Sequence, residues 1–99
     1  MNEQELIRKL NSVGKTIFVT YFSTFQSYSK GVISKEDCIN VLVSNKVSND
    51  NGAAIRCGNA KRIFDEGMEC DALIIVTESN ILPSELIRKA EEIIRNTCK

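Results

Sequence analysis

Four thiols, Cys38, Cys57, Cys70 and Cys98, are the most reactive side chains in this chain, and their spacing limits what they can do. They are separated by 19, 13 and 28 positions. A zinc loop holds its ion with thiolates about two to four residues apart, and no pair here has that spacing. The chain also has no His, which removes the commonest nitrogen ligand, so no metal and no cofactor is expected. Cys38 and Cys57 fall on or beside apolar stripes, and in a reducing cytosol all four read as small buried hydrophobes. The alternative is two disulfides, for which four cysteines allow three pairings.

A hydrolytic or transferase site needs a nucleophile with a base beside it. Without His the base would have to be Asp, Glu, Lys, Cys or Tyr. The carboxylates Glu36-Asp37, Asp65-Glu66, Glu69, Asp71 and Glu91-Glu92 sit mostly at helix ends or on wet faces and form no Asp-rich loop. Gly52, Gly58 and Gly67 have neither spacing of a phosphate-cradling loop. Gly14-Lys15-Thr16 matches only the closing letters of a P-loop, with no upstream glycine and no preceding strand. No catalytic residue is nominated, and the chain reads as a non-enzyme.

Two polar groupings remain. Arg56, Asn59, Lys61 and Arg62 lie on one proposed helix, and if that helix were the second half of a helix-turn-helix they would meet phosphates or base edges. The plainer reading is stronger. Arg56 lies close to the apolar stripe, where its stem can run along the core and its head can pair with a carboxylate, and Lys61 and Arg62 precede Asp65 and Glu66 at intrahelical ion-pair spacing. The second grouping is uncharged: Thr20, Tyr21, Ser23, Thr24, Ser27 and Tyr28, with Gln26. Interface cores are depleted in Lys and Glu and enriched in Tyr, which makes this flank a candidate surface for a protein partner or a twin subunit. Packing against a neighbouring helix would equally explain some of these positions.

The elements that must carry these residues follow from periodicity. Leu6, Ile7, Leu10 and Val13 recur at helical spacing after an acidic start, and Gly14 reads as the cap that ends the helix. Residues 16–29 carry no charge and hold five of the six aromatics. Their β-branched and aromatic content suggests a strand. At about 100° per residue, however, all five rings fall within an arc of about 120°, whereas alternation would scatter them. Burying them on one face, at about 2 to 3 kcal/mol each, outweighs a few tenths per residue of unfavourable helix propensity. Ser34 to Asp37 opens the next helix as a capping box with Asp in place of Glu, and that helix ends near Asn45. Ser48 to Gly52 is a turn that can cap the following helix, although its Asn-Gly pair is also a hairpin signal. Ala53, Cys57, Ala60 and Phe64 then line a helix to about Glu66, with Ile63 at its edge and Gly67 as cap. The run Ala72 to Val76 is apolar at every position, so it is either a central strand or a buried helix. Leu86, Ile87, Ala90, Ile93 and Ile94 form a clean amphipathic stripe, with Pro83 placed to open the last helix.

These elements predict an all-α domain of five to six short helices spanning residues 1–99. The rival is a small α/β fold with strands near 17–22, 39–43 and 72–77, which the aromatic stripe disfavours. Ninety-nine residues suffice for one domain, and 42% apolar with 26% charged residues is ordinary globular usage. Thirteen basic and thirteen acidic residues cancel, and neither half departs from neutrality by more than one charge. The basic surplus that usually accompanies nucleic-acid binding is absent, so nucleic acid is the less favoured partner. No apolar run approaches the ~20 residues that span a bilayer, and Met1 to Glu5 lacks the character of a secretory signal. The expectation is a cytoplasmic, non-catalytic interaction or regulatory domain that binds a protein partner or its own copy, with DNA binding as the alternative and no membrane association.

Overall fold

A computed structural model describes residues 1–98, and among them the chain forms seven α-helices and no strand. None of the three segments of the rival α/β reading is a strand: 39–43 and 72–77 lie within helices, and 17–22 is helical except at Tyr21. The first helix, α1 (Glu3–Val13), starts where Asn2 Oδ1 accepts from the Glu5 N–H at 2.8 Å, and it buries Leu6, Leu10 and Val13. The chain then turns at Gly14, whose φ of +95° suits glycine and almost no other residue, and α2 (Lys15–Thr20) begins at once.

The helix expected over 16–29 is present but interrupted. Tyr21, at φ −109° and ψ 24°, separates α2 from α3 (Phe22–Ser29), which brings the total to seven helices where five to six were expected. The break falls after Ile17, Val19 and Thr20, residues of lower helix propensity. Bonds from Tyr21 N–H to the Ile17 carbonyl and from Phe25 N–H to the Tyr21 carbonyl still bridge the joint. The rings gather largely as the stripe requires. Phe18, Phe22 and Phe25 are buried, with Phe18 edge-on to Phe22 at 5.7 Å, while Tyr21 and Tyr28 stay half-buried on the flank. Phe64 joins the cluster from another helix, 5.9 Å from Phe18 and 5.1 Å from Phe22.

Helix α4 (Lys35–Ser44) opens with the predicted box: Asp37 N–H donates to Ser34 Oγ at 3.0 Å and Ser34 N–H to Asp37 Oδ2 at 3.1 Å. Helix α5 (Asp50–Asp65) is the hub, packing against α1, α3, α4 and α6. Its buried positions are Ala53, Cys57, Ala60 and Ile63, small residues that let neighbouring helices approach closely. Ile63 is therefore central and Phe64 lies at the edge, the reverse of their predicted places. The Asn51-Gly52 pair belongs to the first turn of α5, with Gly52 N–H donating to Asn49 Oδ1 at 2.8 Å; it turns no hairpin. The α5 exit follows a Schellman pattern, with Gly67 N–H to the Phe64 carbonyl and Met68 N–H to the Ile63 carbonyl.

The apolar run is a helix, α6 (Glu69–Thr77), which buries Ala72, Leu73 and Val76 and leaves Ile74 exposed. Pro83 caps the last helix, α7 (Ser84–Thr97), from the position before its first turn. Helices α6 and α7 run antiparallel, and a disulfide joins Cys70, near the start of α6, to Cys98, just past the end of α7. This bond corrects the reading of all four cysteines as free thiols: the hairpin brings the two Cα atoms to 5.9 Å, within disulfide reach, although they are 28 positions apart in the chain. No helix is long and apolar enough to cross a membrane.

Candidate functional site

The uncharged flank follows from the way α2 and α3 spend their rings. Phe18, Phe22 and Phe25 point into the core, and the opposite side is left to Thr, Ser and Tyr. Thr20 and Ser23 are exposed, while Tyr21, Thr24, Ser27 and Tyr28 are half-buried. The inner part of the flank touches the rest of the fold: α3 packs on α4 and α5, and Lys61 Nζ of α5 stands 5.9 Å from the centre of the Tyr28 ring. Burial pushes the Tyr28 phenol above its ordinary value, with Lys61 opposing the shift. Beyond the start of α2, Thr16 lines a shallow notch of about 280 Å³ with Pro83, Leu86, Glu85 and Lys89 of the α7 end.

The four residues of the nucleic-acid grouping point to different neighbours. Arg56 Nη1 donates to the Val13 carbonyl, one of the acceptors left open where α1 ends. Asn59 Nδ2 donates to Ser12 Oγ at 2.9 Å, so both residues tie α5 to the end of α1. Lys61 pairs with Asp65 at 2.6 Å. Arg62 is exposed near Glu66, whose carboxylate is held below its usual range chiefly by the Met1 ammonium 3.0 Å away and also by Arg62. Arg56 and Asn59 thus both bond the end of α1, whereas Lys61 pairs within α5 and Arg62 lies near Glu66.

Cys38 and Cys57 are fully buried between α4 and α5, with their sulfurs 2.9 Å apart. Hydrogen bonding with Cys57 and burial together hold the Cys38 thiol protonated, far above its ordinary value. The same hydrogen bond lowers the Cys57 thiol, but a nucleophilic cysteine must also be accessible, and both sulfurs are buried. Among the described residues no cluster of His, Cys, Asp or Glu is placed to hold a metal ion.

One surface feature lacked a sequence signal. A cleft of about 240 Å³ lies between α1 and α6, lined by Leu6, Met68, Ile74 and Ile75 with Glu3, Asp71 and Glu78. Asp71, Ile74, Ile75 and Glu78 recur at helical spacing on α6, but the unbroken apolar run hides which of its residues face outward. The α1 contribution depends on how the two helices pack. Comparison of the chain with protein-family models, with curated proteins and with solved structures gives no match.

Proposed function

We propose that this chain is a non-catalytic interaction or regulatory domain that binds a protein partner or its own copy through the outer side of α2 and α3. The observation that carries the reading is the composition of that side: fourteen consecutive residues without a charge, presenting Thr20, Ser23, Thr24 and Ser27 with Tyr21 and Tyr28 half-buried among them. Hydroxyls and amides are cheaper to strip of water than ammonium or carboxylate groups, and rigid tyrosines supply contact area at low entropic cost. The notch beside Thr16 extends the same side towards α7.

The test is light scattering coupled to size exclusion, together with partner recovery by the tagged full chain. The same measurements are made on a Ser23→Arg/Ser27→Arg variant whose circular dichroism matches the parent. Self-association or partner retention that the double variant abolishes supports the reading; a strict monomer that retains nothing overturns it. DNA binding through Arg56, Asn59, Lys61 and Arg62 is the less favoured reading, and failure of the unmutated protein to be retained on duplex DNA at low salt removes it. The compartment we propose is the cytoplasm, where thiols such as the buried Cys38 and Cys57 stay reduced. The Cys70–Cys98 bond weighs the other way, because cytosolic reductants open such bonds. Free-thiol counting on protein taken from its own cells decides: four free thiols support the cytoplasm, and two argue for an oxidising compartment.

A further inference from the structure

We propose that the cleft between α1 and α6 docks a basic amphipathic segment of another protein, seating one large apolar side chain on its base while flanking Lys or Arg side chains meet its carboxylate rim. Half-buried Met68 and Ile75 join buried Leu6 at the base, and Ile74, 47% exposed, forms a wall. At about 240 Å³ the cleft falls below the ~300 Å³ at which pockets for small molecules ordinarily begin, which suits a single anchoring side chain better than a cofactor. The charged groups of the lining are Glu3, Asp71 and Glu78, and no cation stands among them. Among the described residues none of these carboxylates takes part in an ion pair, and none belongs to a cluster able to hold a metal ion.

The occupant's chemistry follows from that combination. An apolar base excludes water and lowers the local dielectric, so a cation brought to its rim is attracted more strongly than at an open surface. An anionic ligand or a nucleic-acid backbone would be repelled by all three carboxylates. A second copy is the poorer occupant, because the chain's clearest amphipathic helix, α7, balances Arg88, Lys89 and Arg95 with Glu85, Glu91 and Glu92 and turns its apolar stripe towards α6 and α2. The contact is small, which places it with transient interfaces rather than permanent ones.

The test is fluorescence anisotropy of the full-length chain with a labelled leucine–lysine peptide patterned as an amphipathic helix, beside a counterpart carrying glutamate in place of lysine. The expected result is saturable binding of the lysine peptide at low salt and none of the glutamate peptide. Asp71→Lys combined with Glu78→Lys should weaken binding by about tenfold or more, as should added salt. Ile74→Glu should weaken it comparably, whereas Ser23→Arg/Ser27→Arg should leave it unchanged, which separates this cleft from the α2–α3 surface. Absence of binding, equal binding of the two peptides, or an affinity unmoved by the charge reversal overturns the proposal. If a variant fails to fold, amide shift mapping on the unmutated chain decides: peptide-induced shifts must centre on Leu6, Ile74 and Ile75, and shifts centred elsewhere overturn the proposal.

Discussion

Arg56 shows how one side chain's role is settled by what it touches. Its guanidinium donates to the Val13 carbonyl, and a methyl added at Gly14 would stand 3.1 Å from Nη1, so guanidinium, carbonyl and glycine form one tight joint between α1 and α2. Arg56→Ala leaves that carbonyl without its charged donor and should cost about 1.5–3 kcal/mol, read by urea unfolding. Gly14→Ala places a side chain at φ +95° and crowds the same joint, with an expected loss of about 1–3 kcal/mol. Nearness to the apolar stripe was visible in the sequence, but the acceptor was not, because Val13 lies 43 residues away. Tyr28 makes a different prediction. Burial favours its protonated form, so the folded state holds that proton more tightly than the unfolded chain. Its contribution is present below pH ~10 and is lost as pH rises through the raised folded value. Stability measured against pH should fall in that alkaline window, and Tyr28→Phe should flatten the fall.

At the level of the element, helix ends were more legible than helix interiors. The Ser34–Asp37 box is local chemistry within four residues, and it forms as read. Ser34→Ala should therefore cost about 1 kcal/mol and loosen α4 first, seen as faster amide exchange in its opening turn. The aromatic segment was legible only in part. Its stripe placed Phe18, Phe22 and Phe25 correctly inside, but the joint at Tyr21 leaves no mark in a regular helical projection. The run Ala72 to Val76 carried no period at all, and the packing of α6 against α7 and α1 decided which of its residues were covered. Of the surfaces discussed, the α2–α3 flank could be read because absence of charge is a property of sequence. The α1–α6 cleft could not, because it exists only between two helices distant in the chain.

At the scale of the whole molecule, the cysteines divide into two fates. Cys38 and Cys57 sit in the core between α4 and α5, so native protein should leave both unalkylated by iodoacetamide and denatured protein should take up two labels. Cys70–Cys98 closes a loop across the α6–α7 hairpin, and its separation of 28 positions corresponds to a stabilisation of about 3–4 kcal/mol. Cys70→Ser/Cys98→Ser should lower unfolding stability by that order, and reduction of the parent protein should reproduce the loss; equal stability before and after reduction would contradict it. The sequence alone favoured the all-helical class and determined the Ser34–Asp37 box, the Gly67 cap and the aromatic stripe's inner rings, because these rest on the nearest few residues and on a repeat of 3.6 positions. Only the tertiary structure decided which thiols bond, what Arg56 caps and where a carboxylate-rimmed cleft opens. Each of these depends on groups from different helices, tens of positions apart in the chain, and one helix's pattern carries no information about the orientation of another.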